Sequence, residues 1–467
     1  MKILAAKPPT PEQLKVLVNN RPGTVLIKGA AGSGKTTTAM LRLRHLTESW
    51  ISRATRLDLD DPVRVLVLTY NRTLQTYIQE LASEQVAPRD GLELKVATFG
   101  KWARDLLPPD QRGLLEPDES RKRLRRLASA LGGDINFHIE EAQYVLDRFL
   151  PSNLDAYLTA RRTGRGLSPR MEQPARQRLL NEVVVPYRVQ MDADGLMDWN
   201  DIALAAYNDT TADGWDVIVV DEAQDFSANQ ARATHAHLND PGSLTFVMDA
   251  VQRIYPRSFT WKEAGIDIET TYTLTENYRN TRQIAAFARS LVDGVPLDDD
   301  GALPNFDACH VDGPVPVVFY GLYNKQIDAM LAWLEENADL ETESVAFLQP
   351  KGGRWFDFLR QRLNQAGIEW ADLTRASAWP QGSEAVALST LYSAKGLEFD
   401  HVFLPGLNAE VTPHGPGTDD TQLDNLRRLV AMGVGRARKT ASIGTKPSDP
   451  STVLSFADPE TFERRDV

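Results

Sequence analysis

Cysteine is almost absent from this 467-residue chain. Cys309 is the only one, which excludes an intramolecular disulfide and fits a reducing compartment. Long apolar runs are missing too. None approaches the roughly 20 residues that a membrane span requires, and the opening segment Met1–Pro9 is broken by proline before a secretory signal forms. A soluble, cytoplasmic protein with no membrane partner is the expectation. Net positive charge is also lacking: 52 Lys and Arg against 64 Asp and Glu leave −12. A surface of that sign does not grip nucleic acid indiscriminately. A local basic groove stays open, because Arg121-Lys122-Arg123-Leu124-Arg125-Arg126 and Arg161-Arg162-Thr163-Gly164-Arg165 lie in one region, whereas Asp298-Asp299-Asp300 and Glu335-Glu336 lie elsewhere. A charge run is commonly a solvated face; the asymmetry also admits phosphate contact.

Two segments that are present carry chemistry. Val217-Ile218-Val219-Val220 reads as a strand buried on both faces, and it stops in Asp221-Glu222-Ala223-Gln224-Asp225. A core strand cannot hold adjacent carboxylates in its middle, so they belong at its carboxyl end, where open α/β sheets bind ligands. One can hold Mg²⁺ and its neighbour can orient a water. Taken alone, a strand entering an acidic solvated loop explains the segment more simply. The upstream run Gly29-Ala30-Ala31-Gly32-Ser33-Gly34-Lys35-Thr36, preceded by Val25-Leu26-Ile27, changes the balance. It matches G-x-x-x-x-G-K-[ST] between a strand and a helix. Its glycines let backbone N–H groups converge on phosphate oxygens at a helix N-terminus, with Thr37 opening the helix. Lys35 would reach the β- and γ-phosphates, and the Thr36 hydroxyl would share Mg²⁺ with Asp221.

The chain is organised as two α/β series. Strand signals fall at Val25–Ile27, Val63–Thr69 and Leu94–Phe99, with a helix over Thr36–Thr47. Residues 101–190 are charged and helical, and strands return at Val217–Val220 and Leu244–Met248. This pattern predicts one α/β lobe, residues 1–100 and 191–280, interrupted by a helical insertion. A second lobe, residues 281–467, follows with Val315–Phe319, Val345–Leu348, Val386–Leu388 and His401–Leu404, and Asn408 to Gln422 reads as an exposed loop. Asp198-Trp199-Asn200-Asp201 invites a second metal site, but helix capping explains it more simply. His401, opening a strand, reads as structural.

The order of segments resembles the motif series of superfamily 1 helicases of the UvrD/Rep/PcrA-like group, from Gln13 to Arg438. Pro11-Glu12-Gln13 is similar to the adenine-reading motif. Leu68-Thr69-Tyr70-Asn71 and Ala97-Thr98-Phe99 resemble strand-contacting motifs. Asp221–Asp225 matches the Mg²⁺ and water-positioning motif, and Asp249-Ala250-Val251-Gln252-Arg253-Ile254-Tyr255 the one that follows. Asn277-Tyr278-Arg279, Ser389-Thr390-Leu391-Tyr392-Ser393-Ala394-Lys395-Gly396-Leu397-Glu398-Phe399 and Gly435-Arg436-Ala437-Arg438 match the last three.

The resemblance implies two RecA-like P-loop lobes, parallel sheets flanked by helices, with ATP and Mg²⁺ between them. It implies hydrolysis by Lys35, Asp221, Glu222, Gln252, Arg279 and Arg436, with Glu222 aiming the water and the arginines on the γ-phosphate. The nucleotide would be held by Gln13, the loop Gly29 to Thr37, Tyr278 stacked on the base, and Glu398. Single-stranded DNA, or a 3′-tailed duplex, would lie along Tyr70, Asn71, Thr98, Phe99, Trp261 and Thr390. The implied activity is ATP-driven translocation or 3′→5′ unwinding. Met248 and Gly100 stand where the family has glycine and histidine, and Ala431, Gly433 and Gly435 replace larger residues near Arg436, which predicts thinner packing there. The short spacing from Arg279 to Lys395 leaves out the large accessory insertion of the second lobe. That omission favours an alternative, a nucleic-acid-stimulated ATPase acting as a switch or loading subunit of a repair or defence complex. An RNA-directed helicase is a third reading.

Overall fold

The computed structural model describes residues 8–29, 32–70, 72–86, 89–108, 113–162, 170–209, 211–249, 259–275, 277–295, 309–374, 380, 382–415 and 421–467. The first lobe is built on β1 (Gly23–Gly29), β2 (Val63–Thr69), β3 (Leu92–Thr98), β4 (Trp215–Val220), β5 (Leu238–Asp249) and β6 (Thr270–Leu274). They form one sheet in the order β3-β2-β4-β5-β1-β6, and every pairing is parallel. Parallel sheets need both faces covered, and β4 shows how the sequence achieves it. Val217 and Val219 enter one apolar cluster with Val25, Ile27, Met40 and Leu43, while Ile218 and Val220 enter another with Leu26, Leu66 and Phe246. The strand is therefore buried on both sides, as its unbroken β-branched run predicts.

Two helices frame the phosphate loop. α1 (Pro11–Leu17) starts from Thr10 in a capping box with Gln13, which satisfies two of the free N–H groups of its first turn. α2 (Lys35–Leu57) begins at Gly34, whose φ of 74° is left-handed and suits glycine. Its apolar stripe, Ala39, Met40, Leu43 and Leu46, packs on the sheet.

The helical insertion has a core of its own, with Leu124, Ile139, Val145, Leu180, Val183 and Tyr187 among its members. The helix Phe99–Asp105 that precedes it does not join that core; Trp102 and Ala103 pack with the first sheet. Within the basic run that begins at Arg161, Arg162 has a different use from the phosphate contact it admitted. Arg162 is bound to Glu141, which is fully buried, through bonds of 2.7 Å, and Tyr157 donates to the same carboxylate. Asp198 caps the next helix by accepting from the N–H groups of Asn200 and Asp201, so the predicted cap is what forms.

The chain crosses to the second lobe through β7 (Asn277–Thr281), which pairs with β8 (Cys309–Val311). The second sheet contains β9 (Val317–Tyr320), β10 (Val345–Gln349), β11 (Trp370–Asp372), β12 (Val386–Thr390), β13 (Phe399–Leu404), β14 (Ala437–Thr445) and β15 (Glu463–Asp466). Their order is β11-β12-β10-β13-β14-β9-β15, again parallel. The architecture is thus α/β with two parallel sheets flanked by helices, and no described helix is long and apolar enough to cross a membrane. His401 sits between Thr440 and Glu343 at 2.8 and 2.9 Å, a structural position.

The buried Glu141–Arg162 pair gives a test of the insertion's stability. Removing one partner of such a pair strands a charge in the core. Arg162→Ala should destabilise the fold by about 3 kcal/mol, measured by urea unfolding followed by circular dichroism, and Glu141→Gln with Arg162→Met together should cost less than Arg162→Ala alone.

Candidate functional site between the two sheets

The site begins where β1 ends. A Cβ on Gly29 would lie 2.9 Å from Lys35 Cγ and 3.1 Å from the Leu274 carbonyl, so only glycine lets the Lys35 stem fold back across the loop. Gly32 and Gly34 both take positive φ. Ala30 and Ala31 lie outside the described residues. Ser33 is buried, Thr37 is exposed, and Thr38 ties α2 to the loop by donating to the Gly34 carbonyl at 2.8 Å. Gln13 lies directly over this loop. Its Nε2 donates to the Ser33 carbonyl at 3.2 Å, while its Oε1 accepts from the Thr10 N–H at 2.9 Å.

The carboxylates arrive from β4, separated from β1 by β5 alone. Thr36 Oγ1 donates to Asp221 Oδ2 at 2.9 Å, so the hydroxyl after the phosphate-loop lysine meets the first carboxylate of the acidic run. Burial and the charge of Glu222 push the Asp221 carboxyl up to about 7, and the Thr36 hydrogen bond offsets part of this. Two carboxylates crowded in a dry site favour a cation beside them. A hydroxyl and a carboxylate oxygen so placed fit Mg²⁺, which prefers oxygen ligands and takes its remaining positions from phosphates and water. Among the described residues no group of three or more His, Cys, Asp or Glu forms a closed cage.

Glu222 has a φ of 54°, left-handed for a residue with a side chain. Such a backbone costs about 1–3 kcal/mol and persists only where its surroundings over-determine it. Here Asp221 N–H bonds to the Leu68 carbonyl at 2.9 Å, Asp225 N–H bonds to the Glu222 carbonyl at 3.0 Å, and Gln224 donates to the Glu222 carboxylate. These contacts hold the turn in its left-handed conformation.

The second sheet reaches the same turn. Lys395, in the loop after β12, donates to the Asp225 carboxylate and lies 4.0 Å from Glu222 Oε2. Its side chain is 3% exposed and that of Asp225 is fully buried. Sequence reading placed both residues inside matching motifs but gave neither a role. The signal was present, since Lys395 lies in the segment Ser389–Phe399 that resembles a family motif.

A second pair of motifs also meets. Asn280, 3% exposed on β7, donates to the carbonyls of Gly435 and Ala437 at 3.0 and 2.5 Å. It grips both sides of Arg436 and sets the strand of Arg279 beside it. Arg436 is buried, with Nε 3.2 Å from Met432 Sδ and a bond of 3.4 Å to the Leu397 carbonyl. The side chains of Tyr278 and Arg279 lie outside the described residues, as does all of Gln252. Glu398 is half-buried one residue beyond Leu397. Packing near Arg436 is not thinned, contrary to the expectation from Gly433. A Cβ there would meet Leu391 Cδ2 at 2.3 Å, because Leu391 fills the space that the glycine leaves.

The expected strand-contacting residues divide. Phe99 is 2% exposed, wedged against Trp102 and Phe226 at 5.6 Å, so its ring is core and offers no stacking face. Thr98 caps its helix by accepting from the Lys101 N–H, and Thr390 accepts from the Ser393 N–H at 3.1 Å. Tyr70 is half-buried. Trp261 has Phe246 against it at 4.4 Å and stays half-buried. Asn71 lies outside the described residues. Two exposed aromatics were missed: Trp199, 40% exposed, whose ring would lie 2.8 Å from a Cβ on Gly100, and Tyr392, 44% exposed in the Lys395 loop.

The Lys395–Asp225 pair is open to measurement. Lys395→Met should cost about 3 kcal/mol by leaving Asp225 buried without its cation. Adding Asp225→Asn should return more than about 1 kcal/mol of that loss in a double-mutant cycle read by chemical denaturation.

Residues 10–273 match the UvrD/REP helicase N-terminal domain, and residues 325–445 match the UvrD-like helicase C-terminal domain. The ATP-dependent DNA helicase UvrD2 of Mycobacterium bovis is 26% identical over 391 residues, covering 58% of this chain and 55% of that protein. The ATP-dependent DNA helicase PcrA of Leuconostoc citreum is 35% identical over 146 residues, 29% of this chain and 19% of its own length. Rep of Escherichia coli is 39% identical over 56 residues, 12% of this chain and 8% of that protein. The chain spans about half the length of the UvrD2 relatives it matches. With the first match alone covering more than half of its residues, the chain belongs to the UvrD/Rep helicase family.

Proposed function

We propose that this protein hydrolyses ATP and uses the closing of its two lobes to move along single-stranded DNA in the 3′→5′ direction. The lobes are residues 1–100 with 191–280, and 281–467, the helical insertion being 101–190. The observation that carries this reading is the pair Lys395–Asp225, which runs from one sheet to the other inside the turn that holds Glu222. A change in lobe separation would have to act on that turn.

Within this scheme Lys35 and the loop around it hold the phosphates, and Mg²⁺ on Thr36 and Asp221 offsets their charge. Glu222, turned by its left-handed backbone, orients the attacking water. Arg436 from the second lobe, flanked by the carbonyls that Asn280 binds, and Arg279 from the strand that crosses to that lobe meet charge developing on the γ-phosphate. Because these groups belong to two bodies, bound ATP favours closure and its hydrolysis favours opening, a hinge-type transition. Gln252 would report the γ-phosphate to the strand. Tyr70, Trp261, Trp199 and Tyr392 supply ring faces for bases, as stacking requires in sequence-independent binding. The hydroxyls of Thr98 and Thr390 supply phosphate contacts, and Asn71 extends the same track.

The test is ATP hydrolysis with single-stranded DNA, RNA or neither, together with strand displacement on 3′- and 5′-tailed duplexes. DNA-stimulated hydrolysis and displacement from 3′ tails are expected. Lys35→Ala and Glu222→Gln should each lower kcat by about 10²-fold or more, and Glu222→Gln should retain ATP and DNA together in a filter-binding assay. Hydrolysis indifferent to any strand would overturn the motor. Stimulated hydrolysis without displacement would instead identify a switch or loading subunit.

A further inference from the structure

The seven-residue helix α1 touches more of the site than the reading of one base requires. Its three anchors point in three directions. Gln13 reaches the phosphate loop through the Ser33 carbonyl. Arg42 of α2, 1% exposed and paired with no carboxylate among the described residues, donates to the carbonyls of Val16 at 2.9 Å and of Asn19, and to Thr245 Oγ1 at 3.1 Å. A buried guanidinium spent on the carbonyls at the end of α1 fixes that helix rigidly to the phosphate-loop helix. The third anchor is Glu12. Its two oxygens accept separately from Thr275, Oε2 from the N–H at 3.1 Å and Oε1 from the hydroxyl at 2.7 Å.

Thr275 follows directly on β6, the last strand of the first sheet, and lies two residues before β7, which carries Tyr278 and Arg279 and packs beside Arg436. Glu12 therefore holds the chain where it leaves one lobe for the other. Its neighbour Gln13 keeps hydrogen-bonding capacity to spare. A glutamine amide has two donors and two acceptor lone pairs, and the bonds to Ser33 and Thr10 use one of each. One donor and one acceptor remain, which complement N7 and the N6 amino group of adenine. Guanine presents two acceptors on that edge, so one of them would face the amide oxygen.

We propose that Glu12 is a positioning residue that links the base held by Gln13 to the crossing strand whose Asn280 holds both sides of Arg436, so that hydrolysis depends on adenine and not only on the triphosphate. The inference rests on the ATPase reading above. With adenine seated, α1 is held from the loop side by Gln13 and from below by Arg42, and Glu12 passes that fixed position to Thr275 and along the crossing strand. With guanine the amide does not engage, and the Glu12 contact has nothing to transmit.

The whole 467-residue chain is tested by DNA-stimulated hydrolysis of ATP and of GTP. Glu12→Ala should lower kcat for ATP about tenfold, equivalent to about 1.4 kcal/mol, with KM for ATP unchanged because Gln13 is intact. GTP turnover should change by less than about twofold, so the ATP-to-GTP ratio collapses. Thr275→Val, which keeps the N–H bond, should show part of the effect, and Glu12→Gln should rescue it. Equal losses for both nucleotides with a lowered unfolding midpoint would make Glu12 a structural strut and overturn the proposal. An unchanged ratio in Glu12→Ala would overturn it as well. A parent protein that hydrolyses neither nucleotide would bring down the ATPase reading itself.

Discussion

Lys395 meets Asp225 in a place where neither tolerates being alone. Both side chains are almost withdrawn from water, and a charge so placed is costly without its partner. Such a pair adds little net stability, since desolvation consumes most of the Coulombic gain. What it adds is register. It is satisfied only when the loop after β12 stands against the loop after β4, and those loops follow interior strands of two different sheets. Asn280 imposes a second condition a short way off by donating to the carbonyls on both sides of Arg436. Buried polar contacts therefore help to set the relative position of the lobes. Polar contacts of this kind exchange between discrete arrangements, which suits the proposed opening and closing of the cleft.

The turn between these contacts is strained and fully committed. Glu222 holds a left-handed backbone, Gln224 is bonded to its carboxylate, and Asp221 is bonded to Thr36. Strain at such a point has to be supported from elsewhere. The support is β4, lodged between β2 and β5 with apolar side chains on both faces. A rigid strand that ends in a constrained turn places a carboxylate more accurately than a flexible loop can. The same economy shapes the phosphate loop, where Gly29 leaves room for the Lys35 stem. The two halves of the site are thus positioned by one sheet, and the second sheet adds Lys395 to the same turn.

Much of this was legible in the residues. The buried strand before Asp221, the phosphate loop, the capping role of Asp198 and the two α/β series all follow from local pattern, because burial on two faces, glycine torsions and helix caps are decided by neighbours in the chain. β14 was not legible: its first residues, Ala437-Arg438-Lys439-Thr440, look like surface, yet the strand lies inside the second sheet. Its polar start is absorbed by Thr440 on His401 and Lys439 on Glu343, partners far away in sequence. Phe99 was misjudged in a related way. An aromatic at a strand end suits a platform or a core equally, and Trp102 and Phe226 make it core.

By itself the sequence determined the parts: a loop that can bind phosphate, a strand that must end in carboxylates, and segments in the order of a helicase family. Each follows from torsional freedom or from the cost of burying a charge, both local in origin. Tertiary structure alone decided which parts meet. Lys395 with Asp225, Asn280 across Arg436 and Glu12 with Thr275 join residues 170, 155 and 263 positions apart. Periodicity carries no information about such pairs, because hydrogen bonds and ion pairs act over a few ångströms in space and depend on how two sheets come to face one another.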